Sequence, residues 1–230
     1  MPLKRKGEDG NWLPTSIDRL DALLSNVIFG HGYGHIYALR RNIAYNLQHV
    51  QYLEQTLIDL KLTTVLLTQT WKTQIIVGCG IIESLLHYLI VVSGNQSSID
   101  WEVTQEFTGV NKKINNKLYR IDSVVKEKLD APKPLPMTFD AMLKKAESKR
   151  LIGNDQALYG KLKRLRPLRN RVHLQEIGQP VDHDFNAFTY EDKRLMMQVL
   201  HAVFAELLFN PTAEQRAYFD YLDKYMLEVD

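Results

Sequence analysis

A chain of 230 residues that is 45% apolar and 24% charged has the make-up of a folded protein, which excludes disorder along its whole length. Its one cysteine, Cys79, excludes an internal disulfide and a cysteine-based zinc site, and fits a reducing, cytoplasmic setting. The formal net charge of +2 hides an uneven distribution: between Lys144 and His173 ten Lys and Arg face two acids, while between Asp182 and Asp230 ten acids face four bases.

The first nine residues carry Lys4, Arg5 and Lys6 with no apolar run behind them. Residues 1–14 therefore read as a flexible tail and not as a signal peptide, with a nuclear address as the other reading of the triplet. Pro14-Thr15-Ser16 offers caps for a helix through Ile17, Leu20, Leu23, Leu24, Val27 and Ile28, which Gly30-His31-Gly32-Tyr33-Gly34 then breaks. Leu39, Ile43, Leu47, Val50, Leu53, Leu57 and Leu60 step by three and four, predicting a long helix from about Ile36 to Leu62. A second, antiparallel helix is predicted from about Val65 to Val92. Its apolar run from Ile75 to Val92 approaches the length of a membrane span, but Glu83 and His87 would be costly in lipid. A helix buried within the protein, with no membrane partner, is expected instead.

The middle reads as an irregular insertion at about 94–137, with Trp101 to Phe107 and Ile114 to Leu129 helical and the prolines of 130–136 forming a break. Thr138-Phe139-Asp140 opens a short helix. Gly153-Asn154-Asp155 caps the next, carrying Leu158, Leu162, Leu165, Leu168 and Val172, with Pro167 as a kink or a new start. Gly178-Gln179-Pro180 closes it, and helices over about 190–209 and 211–227 finish the chain. With no strand-period segment in view, the expected fold class is all-α: an antiparallel helical bundle with extra helices, forming a single domain over 15–230.

The densest chemistry lies in Arg166-Pro167-Leu168-Arg169-Asn170-Arg171-Val172-His173, where three arginines, an asparagine and a histidine fall within eight residues. On a continuous helix, Arg169 and His173 (four apart) and Arg166 and His173 (seven apart) would share a face. That face would set fixed guanidinium cations beside the one side chain that titrates near neutral pH. Lys163, Arg164 and Arg171 extend the basic character, which fits a polyanion partner; a basic helix neutralised by acidic C-terminal helices is the other reading.

This late Leu-Arg-Asn-Arg-Val-His segment, placed after several long helices, resembles the HEPN family (higher eukaryotes and prokaryotes nucleotide-binding). Members carry an arginine, often followed by a polar residue, four to six positions before a histidine. Arg169-Asn170 supplies the arginine–polar pair with three residues before His173, and Arg166 has six between but is followed by Pro167. Ile81-Ile82-Glu83-Ser84-Leu85-Leu86-His87 resembles the acidic, apolar helix that faces the motif in that family. The resemblance covers residues 36–209 by layout. It implies an all-helical bundle and a metal-independent ribonuclease of toxin or antiviral-defence type. It also implies a homodimer with the motifs at its interface, no cofactor, and an antitoxin or other protein as a further partner.

The residues make chemical sense of that implication. RNA carries its own nucleophile, the 2′-OH, so cleavage needs a base, an acid and a cation for the phosphorane. His173 fits base or acid, Arg169 or Arg166 fits the phosphate oxygens, and Asn170 fits orientation of either. Arg171, Arg164, Lys163 and Glu83 complete the candidate site as substrate-binding residues. Other readings stay open: a non-catalytic helical module binding RNA, nucleotide or protein, or an adaptor docked on acidic protein. Glu83 is either a partner of the motif arginines or a surface acid. His31 and His35 lie four apart but among glycines with no adjacent carboxylate, so a loop role outweighs a metal site. Arg40-Arg41-Asn42 reads as a solvated face, and Tyr33, Tyr37, Tyr45 and Tyr52 as packing or a dimer seam.

Overall fold

Three helices arise where apolar residues recur at helical steps: α1 (Ile17–Leu24), α2 (Ile36–Asp59) and α3 (Thr64–Val92). The computed structural model describes residues 12–30, 32–173, 179–181 and 183–227, so Lys4-Arg5-Lys6, His31 and Gly178 lie outside the described residues. The Ser16 hydroxyl oxygen accepts the Arg19 amide at 3.4 Å and opens α1. His35 enters α2 in the left-handed region, at φ 62°. Helix α3 is long and apolar enough to cross a membrane by length and composition, and half of its apolar window is buried within the protein.

Helix α3 packs against α2 on one side and against α4 (Phe139–Lys149), α5 (Gln156–Asn170) and α7 (Tyr190–His201) on others. Its Ile75, Ile82, Leu85 and Leu86 meet a core that includes Leu47 and Val50 of α2, Leu158, Leu162 and Leu165 of α5, and Met196 and Leu200 of α7. Each such side chain stabilises the fold by about 1.5–3 kcal/mol when fully buried. Helix α6 (Asp184–Ala187) is held to α3 by Lys72, whose Nζ lies 2.7 Å from Asp184 Oδ2. The helix expected up to Phe209 changes winding at Ala202–Leu207, a π-helical turn. The last helix is divided into α8 (Ala213–Arg216), a 3₁₀ segment (Ala217–Leu222) and α9 (Lys224–Leu227).

A polar network penetrates this core. Glu54 of α2 and Lys193 of α7 are 1% and 2% exposed, with Lys193 Nζ 3.0 Å from Glu54 Oε2. Gln74 Nε2 donates to the same oxygen at 2.9 Å, Lys224 Nζ reaches Oε1 at 2.7 Å, and the Tyr225 hydroxyl donates to Oε1. Burial alone would raise the Glu54 pKa; Lys193, Lys224 and Tyr225 outweigh it and hold the carboxyl below its usual range.

The all-α expectation is overturned by residues 95–137, which form a separate unit of strands. Among the described residues 59% are helical and 13% are strand, in two small antiparallel sheets, so the fold is mixed α/β. Strand β1 (Ser98–Phe107) pairs with β4 (Ser123–Pro134), and β2 (Lys112–Ile114) with β3 (Lys117–Tyr119). Ile114, Leu118, Ile121 and Val125 fall at helical spacing, yet no helix forms there. Asn115-Asn116 breaks that pattern: both residues have positive φ, 49° and 62°, making the two-residue turn that suits a hairpin. Trp101, Val103 and Phe107 are the aromatic and β-branched types that favour strands. Pro132 and Pro134 fit within β4 because every strand of a two-stranded ribbon is an edge strand, where a missing N–H is tolerated. Gly109 is required where it stands, since a Cβ there would strike the Ile121 carbonyl.

A candidate anion site at the end of α5

Helix α5 begins at Asp155, whose carboxylate accepts the Ala157 amide at 2.8 Å. Leu158, Tyr159, Leu162 and Leu165 bury one stripe and thereby fix which side chains face outward. Tyr159 locks α5 to the end of α4, its hydroxyl donating to the Ala146 carbonyl at 3.1 Å. Beside the buried stripe stand Arg166 and Arg169, three apart and on one face.

Two acids from two other helices meet these arginines. Arg169 donates from Nε and Nη2 to Glu83 Oε2 of α3, at 3.0 and 2.8 Å. Arg166 donates from Nη1 to Asp140 Oδ1 in the first turn of α4, and Lys144 reaches the other Asp140 oxygen at 2.7 Å. Lys144 first, and Arg166 with it, hold the Asp140 carboxyl below its usual range. Glu83, Asp140, Arg166 and Arg169 border a cavity of about 460 Å³, with Asn170 and Phe139 also in its wall. Each guanidinium has five N–H donors, and the acids use only two of Arg169 and one of Arg166. Donors remain for a further oxyanion.

His173 is placed differently. Helix α5 ends at Asn170, with Pro167 inside its last turn, and the chain then tightens: Arg171, Val172 and His173 each donate to the carbonyl three residues back, at 3.2, 3.4 and 3.1 Å. In that winding residues three apart share a face, so His173 falls in line with Asn170 and not with Arg169. The helical spacing of four between Arg169 and His173 thus does not operate. His173 is exposed and does not line the cavity. His87, one turn beyond Glu83 on α3, sits 3.0 Å from the Tyr33 hydroxyl at its Nδ1.

The remaining candidates are spread along and beyond the helix. Lys163 pairs with Glu147 of α4 at 2.7 Å, and Arg164 with Asp192 of α7 at 3.2 Å, so both cross-link α5 to its neighbours. Arg171 acts on Asp184, whose carboxyl is held below its usual range by Lys72, Gln69 and Arg171 against the opposing effect of burial. Much of the basic segment is therefore neutralised locally, by Glu83, Asp140 and Glu147 as well as by Asp192. Asp140 escaped the sequence reading; its signal was the acid in the first turn after the Thr138 cap. The Glu54–Lys193 pair escaped too, although Glu54 continues the apolar steps of Leu47 and Val50. Among the described residues no group of three His, Cys, Asp or Glu side chains is placed to hold a metal ion.

No protein-family model, curated protein or solved structure matches this chain.

Proposed function

We propose that the helical unit is a HEPN-like, metal-independent endoribonuclease module of toxin or antiviral-defence type, cytoplasmic and homodimeric. The observation that supports it is the cavity at the end of α5, where Arg166, Arg169 and Asn170 meet with His173 in the turn that follows. In this reading Glu83 and Asp140 aim the guanidinium groups, whose free N–H donors take the phosphate oxygens. A base removes the 2′-OH proton, the 2′-oxygen attacks phosphorus, and an acid protonates the departing 5′-oxygen. The products are a 2′,3′-cyclic phosphate and a 5′-OH. One His173 cannot fill both proton-transfer roles at once, and a second copy across a two-fold axis supplies the other.

The test is incubation of the purified protein with total RNA in EDTA, alongside His173→Ala, with light scattering at micromolar concentration. Metal-independent cleavage that the variant loses, by a dimeric protein, supports the proposal. EDTA-sensitive cleavage, or cleavage unchanged in His173→Ala, rules it out.

A second reading, a non-catalytic module binding RNA, nucleotide or a protein partner, is favoured by one observation. Both arginines already hold carboxylates, and His173 stands outside the cavity they line. A strict monomer that binds RNA without cutting it would support this reading.

A further inference from the structure

The strand unit presents a second surface that the α5 cavity does not involve. Chain enters and leaves the β1–β4 ribbon at Ser98 and Pro134, and the β2–β3 hairpin lies beyond its other end, past the Phe107–Ser123 pair. From Thr108 to Ile121 the chain carries Lys112, Lys113, Lys117 and Arg120 and no acid. Asp122 follows and holds Arg120 through Nη2 at 2.8 Å and Nε at 3.1 Å, leaving Nη1 of that guanidinium. All three lysines are exposed.

The pairing register sorts these residues by face. Lys112 stands opposite Tyr119 and Ile114 opposite Lys117, so these four share one face, while Lys113 and Leu118 share the other. The first face is concave. It bounds a cavity of about 360 Å³ lined by Val110, Lys112, Ile114, Tyr119, Arg120 and Ile121. Val110 and Ile121 are 82% and 84% exposed and Tyr119 is 50% exposed, an unusual cost for side chains with nothing to cover.

We propose that this face of the hairpin binds single-stranded nucleic acid, with a splayed base against Tyr119 and the aliphatic wall and its phosphates on Lys112, Lys117 and Arg120. An aromatic ring set among cations is the arrangement that stacks bases while tracking a backbone. The shape argues against an anionic lipid surface. A membrane-inserting hairpin leads with apolar residues, whereas this one ends in Asn115-Asn116 between Ile114 and Lys117, with Lys112 and Lys113 just before. A concave apolar floor of this size fits a flat base better than the flat surface of an acidic protein.

The inference does not depend on cleavage at α5, and the test keeps the two apart. The whole 230-residue chain in a His173→Ala background is titrated against fluorescein-labelled oligouridylate and, separately, oligothymidylate, in EDTA over a range of salt. Lys112→Glu with Lys117→Glu should weaken binding at least tenfold. Lys112→Ala with Lys117→Ala should lower the salt slope by about 1.4, roughly 0.7 for each phosphate that is no longer neutralised. Tyr119→Ala should weaken binding about five- to hundredfold, and Tyr119→Trp should restore it, which separates stacking from loss of the hairpin's fold. Comparable binding of both oligomers means backbone and base recognition, and a preference for RNA adds the 2′-OH. Oligomer binding unaffected by these tip variants overturns the proposal. So does an absence of oligomer binding in a protein that co-floats with phosphatidylserine vesicles or is captured by polyglutamate.

Discussion

Arg169 gives two N–H groups, Nε and Nη2, to a single oxygen of Glu83, at 3.0 and 2.8 Å, and so joins the last turn of α5 to the middle of α3. Both partners keep part of their surface in water, at 34% and 21% exposure, so the pair contributes to position more than to stability. Glu83→Gln should lower stability by less than about 1 kcal/mol in urea denaturation. It should also tighten RNA binding, because a neutralising charge leaves the cavity, while slowing any cleavage, because Arg169 is no longer aimed. Loss of both binding and cleavage would show that Glu83 itself contacts the substrate.

The two arginines are distinguishable by substitution. Arg169→Lys keeps the charge and loses the planar fork, so it should reduce cleavage nearly as far as Arg169→Ala. His173→Ala should remove a general acid–base contribution of about 10²–10⁴-fold. The arginine whose loss matches His173→Ala in single-turnover rate belongs to the reacting site. Mass analysis of the cleaved ends should give a 2′,3′-cyclic phosphate and a 5′-OH; a 3′-OH with a 5′-phosphate would exclude the 2′-OH as nucleophile.

The buried Glu54–Lys193 pair predicts a strong asymmetry. Lys193→Met leaves a buried carboxylate short of its main partner and should cost about 3–5 kcal/mol, whereas adding Glu54→Leu should recover most of that loss. Equal destabilisation in the single and double variants would show that the network matters by its shape alone. The pH dependence has a definite sign. The Glu54 carboxyl titrates lower in the folded chain than its ordinary 4.5, so its stabilisation is complete above that pH and is lost as pH falls through the folded value. Denaturant midpoints between neutral and acid pH should fall less steeply in the Glu54→Leu, Lys193→Met double variant.

Gly78 faces Met196 so closely that an added Cβ would lie 2.6 Å from its Cγ and 2.8 Å from its Sδ. Gly78→Ala gains up to about 1 kcal/mol of helix propensity, against an overpacking cost of about 1–3 kcal/mol. A net loss is expected in thermal melts, and Met196→Ala in the same chain should relieve the clash at the cost of its own packing. A stabilised Gly78→Ala would mean that Met196 swings clear.

Cys79 lies next in α3, buried, with its Sγ 3.9 Å from Met196 Sδ. Burial, with Glu83 nearby, pushes its thiol up to about 12. At about pH 8 a thiol reagent should therefore modify the native protein only as fast as the chain opens, and at once in denaturant. A rapid native reaction would show that the α3–α7 seam opens locally.

The apolar steps of α1, α2 and α3 and the caps at Ser16, Thr138 and Asp155 were legible in the chain, because helix period and capping are local and depend on residues a few positions apart. The arginine–histidine segment was legible for the same reason, as a cluster of chemical types. Only the tertiary structure decided who meets whom. Asp140 comes from 26 residues before Arg166 and Glu83 from 86 before Arg169, and no local pattern encodes such pairings. The strand unit was lost to a chance helical spacing over residues 114–125, since β pairing between Trp101 and Lys128 is a long-range fact. His173 left the helical face through a change of winding after Asn170, where chain geometry and not residue type sets the direction of the side chain.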